Sequence, residues 1–246
     1  MTILEHLLAS MRPRHWTKNL TVLVALIFTD FPAHAGSAGR AAALAALFCA
    51  ASGAIYLVND VADRERDRHH DVKRLRPIAS GELPVRTALA AAVLLITVSL
   101  AASHLIAAGA GMLLAAYVAL SISYTLFFKR LLIVDAVVIG AGFAIRIASG
   151  AAAIGAAPDG WIMAFAALLT IFFVLAKRRR DLLILGDRGI LPAGYTQRLL
   201  GSLLPATAAA AAACYCPCAV DHALLWSAPF LFYGLFRYIG YTFIQQ

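Results

Sequence analysis

Charged residues are scarce in this chain. Asp, Glu, Lys and Arg make up 14% of its 246 residues, against about 25% in an average soluble domain. With 62% hydrophobic residues and a mean hydropathy of +0.80, that shortage excludes a water-soluble globular domain and defines an integral membrane protein. Long polar stretches are missing too. This excludes a separate soluble domain or a long linker, and residues 1–246 read as one compact domain. Cysteine is sparse: Cys49, Cys214, Cys216 and Cys218. Cys214-Tyr-Cys-Pro-Cys has no zinc spacing and no second ligand pair, so these read as small apolar side chains at a helix end near Pro217. His15, His69 and His70 share no metal spacing either.

What is abundant is apolar runs. Eight candidate spans are read: Trp16 to Pro32, Arg40 to Val58, Arg86 to Leu105, Ala108 to Phe128, Ile133 to Gly155, Trp161 to Ala176, Leu199 to Val220 and Ala223 to Phe243. They predict an all-α, polytopic transmembrane helical bundle, with a very tight turn between Leu105 and Ala108. The alanine run from Ala206 to Ala213 predicts a helix face packed closely on its neighbours. Ala33-His34-Ala35 resembles a signal-peptidase site, but the charged region before it is long and further spans follow, so no cleavage is expected.

Positive charge is missing from one side. Of the 21 Lys and Arg, 18 fall before the first span or in alternate loops, and the opposite loops hold only Arg40. The rich side is cytoplasmic, and an even number of spans puts both termini there. On that side lies Asn59-Asp60-Val61-Ala62-Asp63-Arg64-Glu65-Arg66-Asp67, followed by Lys73-Arg74-Leu75-Arg76-Pro77. Asp60, Asp63 and Asp67 are three and four apart, which puts them on one helix face, and Asn59 adds a carbonyl oxygen. Such an oxygen set suits a hard cation, which takes one or two carboxylates plus substrate phosphates. The competing reading is a solvated helix end with ion pairs such as Asp60 with Arg64. Position at the end of an apolar span favours the metal, and cations nearby favour a diphosphate bound with it.

Positive-inside bias alone accounts for Arg66, Arg86, Arg188 and Arg198. Lys73, Arg74 and Arg76 are stronger candidates for anion contact, because the acidic run and Pro77 tie down their loop. Arg146 lies within a span, where an unpaired charge costs at least ~2.5–3.5 kcal/mol, so it is expected to pair with a carboxylate or bind an anion. Asp135, three turns earlier on that helix, sits nearer the interface. A second cluster, Lys177-Arg178-Arg179-Arg180-Asp181 with Asp187 beyond, echoes the first. For Arg179 and Arg180 a snorkelling basic collar reads equally well. Tyr124 and Lys129 end the fourth span on the same side.

Together these stretches resemble the UbiA-type membrane prenyltransferase superfamily, and more narrowly its decaprenyl-phosphate phosphoribosyltransferase branch. The matching residues are the acidic run with Ala54 to Val58 before it, Arg12-Pro13-Arg14-His15-Trp16-Thr17-Lys18-Asn19 and Lys73 to Gly81. Ser123-Tyr124 through Lys129, Phe143 to Gly150, Lys177 to Asp181 and Leu235-Phe236-Arg237-Tyr238 complete the set. The resemblance implies a UbiA-like bundle in the bacterial inner membrane, with its active site facing the cytoplasm and lined by residues 59–67 and 177–187. It implies Mg²⁺-dependent transfer of 5-phosphoribose from phosphoribosyl pyrophosphate (PRPP) to a polyprenyl phosphate, for cell-envelope polysaccharide. Asn59, Asp60, Asp63 and Asp67 would hold the metal. Substrate contacts would fall to Lys18, Asn19, Lys73, Arg74, Arg76, Tyr124, Lys129, Arg146, Lys177, Arg178 and Asp181. Members often have Glu where Asp181 stands. They usually have nine spans, with a last helix after the Phe-Arg-Tyr region. This chain stops at Gln246, either truncated or a shorter variant, leaving one bundle flank to lipid or to a second copy of the chain. The expected partners are PRPP, polyprenyl phosphate and membrane lipids, not nucleic acid. Two other readings stand: a prenyltransferase acting on an aromatic or other hydrophobic acceptor, and a non-enzymatic lipid-binding or transport protein.

Overall fold

The computed structural model describes residues 2–28, 36–185 and 194–244. Among these residues the regular structure is helical, with no strand. This is the expected outcome of long apolar runs, because a helix satisfies its backbone polar groups within one segment. The α-helices are α1 (Ile3–Ser10), α2 (Val24–Ile27), α3 (Ser37–Ala62), α4 (Arg64–Arg68), α5 (Pro77–Ser80), α6 (Val85–Ile106), α7 (Ala108–Leu126), α8 (Val134–Ile154), α9 (Gly160–Leu185), α10 (Gln197–Asp221) and α11 (Ala228–Ile244). Among the described residues six of them, α3 and α6 to α10, are long and apolar enough to cross a membrane.

The first expected span is not one continuous α-helix. Pro13 opens a 3-10 helix, Pro13–Leu23, and only Val24–Ile27 is α-helical. Thr17 and Thr21 hydroxyls donate to the carbonyls of Arg14 and Lys18, offering the backbone an alternative to the α-helical ladder. The rest of that span, with Ala33-His34-Ala35, lies outside the described residues. The last expected span is α11, whose 17 residues extend about 25 Å, short of a ~30 Å hydrocarbon core.

The chain forms two compact units, residues 1–126 with 145–158, and residues 127–144 with 159–246. The first is built around α3, whose Leu44, Phe48 and Ala51 pack with Val22 and with Leu114 of α7. Its turn between α6 and α7 is as tight as expected, one extended residue, Ala107. Gly111 makes this possible, since a methyl there would lie 2.7 Å from the His104 Cα. Below the membrane-length part of α3, Ile78 and Leu83 bury against Leu57 and pin the 63–84 segment to the helix end. In the second unit Phe172 and Leu175 of α9 pack with Leu200 and Leu204 of α10. Helix α8 gives its first half to the second unit and its second half to the first.

Candidate active site

The acidic run straddles a helix end. α3 stops at Ala62, Asp63 takes φ −93° and ψ 0°, and the short α4 carries Asp67. The Asp67 amide donates to the Asp63 carbonyl, which keeps one helical turn between these two aspartates despite the break. Asp60 is 3% exposed and Asp67 1%. Arg76 joins them: its Nη1 is 3.2 Å from Asp60 Oδ1 and 2.5 Å from Asp67 Oδ2. Arg12 donates to the same Asp60 Oδ1 at 2.5 Å and lies over the Tyr56 ring. Asp63 pairs with Arg66 at 3.1 Å. The Asp60–Arg64 pair of the competing reading is not seen; Arg64 lies 3.9 Å from Glu65.

Local sequence explains where these arginines stand. Arg76 precedes Pro77, which disfavours helical backbone for it, and it is extended (φ −66°, ψ 140°). Arg12 is left-handed at φ 54°, a conformation costing a non-glycine residue on the order of 1–3 kcal/mol. That kink turns the chain from α1 into the 3-10 helix. The loop is further tied by Arg68 Nε, which donates to the Ala79 carbonyl, and by the Leu83 amide on the Pro77 carbonyl. Lys73 is half-buried and Arg74 exposed. Burial pushes the Lys73 ammonium below the usual lysine range; Arg76 and Arg66 add to this, while Asp67 and Asp63 oppose it.

Arg146, buried in α8, is held by neutral acceptors on two other elements. Its Nε donates to Asn19 Oδ1 at 2.9 Å and its Nη2 to the Tyr117 hydroxyl at 2.7 Å. Asn19 is fixed in turn by Ser52 Oγ at 3.0 Å and Cys49 Sγ at 3.4 Å. These two acceptors fix the plane of the guanidinium. Tyr56 lies within electrostatic reach of Arg146, Arg12 and Asp60, so the Arg146 site adjoins the acidic cluster.

In the second unit Asp135, fully buried, pairs with Arg178 at 2.9 Å and accepts the Tyr195 hydroxyl at 2.6 Å. Asp135 therefore serves Arg178. Tyr195 also accepts the Ile133 amide at 3.2 Å, bracing a left-handed isoleucine at φ 64°. Burial, then the bond to Asp135, pushes the Tyr195 phenol up. Arg179 does not snorkel: it is 2% exposed and donates to the Thr242 and Gln197 carbonyls, capping α11. Lys177 and Arg180 are exposed, Asp181, Lys129 and, in the first unit, Tyr124 are half-buried, and Asp187 lies outside the described residues. Where α9 starts, Asp159 accepts the Trp161 and Ile162 amides at 2.7 and 3.1 Å and meets His222 Nε2 at 2.9 Å. Burial alone would raise this carboxyl, but the His222 and backbone hydrogen bonds outweigh it and hold the group low.

The structure thus brings Asp60, Asp67 and Arg76 together, and Arg146 with Asn19. Lys18 and Arg74 stay exposed. Arg12, Tyr56, Tyr117 and Tyr195 were not among the expected site residues, although Arg12 and Tyr56 belong to matching stretches. Among the described residues no three His, Cys, Asp or Glu converge as a ready metal cage. The donor chemistry nonetheless suits a hard cation, since Asp60 and Asp67 already converge on one positive group, the Arg76 guanidinium, and Mg²⁺ needs only one or two carboxylates beside its phosphate ligands.

Fold and site define a multi-pass membrane protein with a carboxylate–arginine cluster at one span's end. A family model for the UbiA prenyltransferase family matches residues 19–245, and the chain belongs to that family. The decaprenyl-phosphate phosphoribosyltransferase of Corynebacterium glutamicum is 34% identical over 184 residues, covering 73% of this chain and 55% of that protein. The protein of that name from Mycolicibacterium smegmatis is 33% identical, covering 73% and 58%. The chain therefore spans less than three-fifths of these relatives' length. A solved UbiA homologue from Archaeoglobus fulgidus, bound to DMAPP and Mg²⁺, superposes with a TM-score of 0.81 at 19% identity, covering 97% of this chain and 86% of that one. That likeness establishes a UbiA fold.

Proposed function

We propose that the protein transfers 5-phosphoribose from PRPP to a polyprenyl phosphate of the decaprenyl type, releasing diphosphate, at the cytoplasmic face of a bacterial inner membrane. The observation that carries this reading is the buried Asp60–Arg76–Asp67 bridge at the end of an apolar helix. Paired carboxylates and guanidiniums at one point suit a metal–diphosphate complex, which needs both. The choice of PRPP rests on the relatives named as decaprenyl-phosphate phosphoribosyltransferases.

Asn59, Asp60, Asp63 and Asp67 would hold Mg²⁺, which when bound supplies positive charge to the leaving diphosphate. Arg76 and Arg12 lie beside those carboxylates and are placed to bind diphosphate oxygens through charge-assisted hydrogen bonds. Arg146, oriented by Asn19 and Tyr117, is the candidate contact for a second phosphate, either the ribose 5-phosphate or the lipid phosphate. The nucleophile is itself a phosphate monoester with a second pKa of about 6. It is anionic at neutral pH, so no general base is required, in keeping with a cluster that contains no histidine.

The competing reading is prenyl transfer from a prenyl diphosphate to a hydrophobic acceptor, as the family description allows. The deciding experiment incubates purified protein and Mg²⁺ with labelled PRPP and polyprenyl phosphate, and in parallel with dimethylallyl diphosphate and aromatic acceptors. Labelled lipid from PRPP alone is expected. Product only in the parallel arm replaces phosphoribosyl by prenyl transfer, and product in neither overturns both.

A further inference from the structure

A single carboxylate oxygen, Asp60 Oδ1, accepts from two guanidiniums, Arg12 and Arg76, and Arg76 reaches Asp67 with the same nitrogen. These lone pairs are the ones a hard cation takes from a carboxylate. A divalent ion on these carboxylates would stand close to one or both guanidiniums, and like charges that close repel, so the two compete. Both arginines have defined backbone positions, Arg12 through its left-handed conformation beneath the Tyr56 ring contact, Arg76 through its own extended conformation before Pro77. They are built into the site rather than adventitious neighbours of it.

We propose that Arg76, with Arg12, is a resident counter-cation of the acidic cluster, occupying Asp60 and Asp67 until a divalent cation arrives with a diphosphate, and then turning from carboxylate to diphosphate. This rests on the metal–diphosphate reading above and adds an order to it. Metal alone must displace a guanidinium and leave it with no anion. Metal carrying a diphosphate supplies the anion that the displaced guanidinium then binds. The two ligands are therefore positively coupled, each raising the other's affinity by the same factor. Between turnovers the arginines keep two buried carboxylates neutralised.

The test is titration of the purified full chain with Mn²⁺ alone and with preformed Mn²⁺–diphosphate, following free Mn²⁺ by electron paramagnetic resonance. Removing the competitor in Arg76→Gln is expected to tighten Mn²⁺ alone by roughly tenfold, within the usual range of coupling, and to weaken Mn²⁺–diphosphate. Arg76→Lys, which keeps the charge, is expected to stay near wild type with Mn²⁺ alone. If Arg76→Gln does not fold, Arg12→Gln reads the same competition at Asp60 with Arg76 retained. Weaker Mn²⁺ binding in the variant, an affinity within twofold of wild type, or no binding by any protein overturns the proposal. Turnover is not part of the readout. Tighter Mn²⁺ binding in a chain that ignores PRPP would uphold the counter-cation and discard the phosphoribosyl reading alone.

Discussion

Gly150 of α8 meets the backbone of Val22 so closely that a methyl group on the glycine would lie 1.9 Å from the Val22 carbonyl oxygen. Val22 belongs to the 3-10 helix that carries Asn19, and Gly150 lies one turn beyond Arg146. This contact sets how near Asn19 comes to the guanidinium it orients. Gly150→Ala is expected to cost about 1–3 kcal/mol through overpacking and to loosen the Asn19–Arg146 bond. Gly39→Ala in α3, where nothing lies within 4 Å, is the control. It should be neutral or stabilising by up to ~1 kcal/mol. Thermal melts in detergent compare the two.

The aspartates are expected to separate on substitution. Asp67→Ala removes a buried partner of Arg76, which keeps Asp60; losing one charge-assisted bond should cost roughly 1.5–3 kcal/mol, so turnover and stability should fall together. Asp63→Ala gives up a pair whose Arg66 side chain is 56% exposed, so its stability cost should lie below that of Asp67→Ala. It should lose turnover while melting above Asp67→Ala. Near-normal turnover of Asp63→Ala at limiting Mg²⁺ would remove Asp63 from the proposed metal ligands.

Arg146→Gln and Lys129→Gln test recognition of the second phosphate. Losing one charge-assisted contact costs roughly 1.5–3 kcal/mol, or on the order of tenfold to a hundredfold in kcat/KM for PRPP. Arg146→Lys should not rescue, because an ammonium cannot reproduce a fork that bonds Asn19 and Tyr117 while lying 4.4 Å from the Tyr117 ring centroid. If both Gln variants stay within twofold of wild type, these residues do not carry the recognition.

Asp159 makes a prediction about pH. Its folded carboxyl is held below the ordinary 3.8, so the unfolded chain binds its proton first as pH falls. The stabilisation it gives is therefore full above 3.8 and lost as pH drops through the lower, folded value. Asp159→Ala should cost about 0.5–2 kcal/mol at neutral pH through loss of the cap on α9. The gap between wild-type and variant melting temperatures should close in acid well below 3.8, whereas a gap that persists there would mean the carboxylate charge is not what stabilises.

The acidic cluster was legible because three aspartates recur at helical spacing beside an apolar run. Its arginine partners were not. Arg12 lies 48 residues from Asp60 and reaches it through a left-handed kink that no periodicity announces. Spacing allowed Asp60 with Arg64 as the competing reading, but α3 ends between them and the register changes. For Arg146 the need for partners was legible from the cost of a charge within a span, while Asn19 and Tyr117 come from other elements. The broken first helix escaped notice because hydropathy counts apolar residues and does not register Pro13 or the threonine hydroxyls.

The pairing in the acidic cluster also bears on how ligands find it. Asp60, Asp63 and Asp67 are matched by Arg12, Arg66 and Arg76, so these six side chains carry no net charge. Those six cast little long-range field of their own, so steering falls to Lys73, which lies within electrostatic reach of Asp67 and Arg76 and favours an anionic metal complex over a lone Mg²⁺. Within the cluster discrimination is left to contact, where a ligand bearing both signs can exchange every ion pair it breaks.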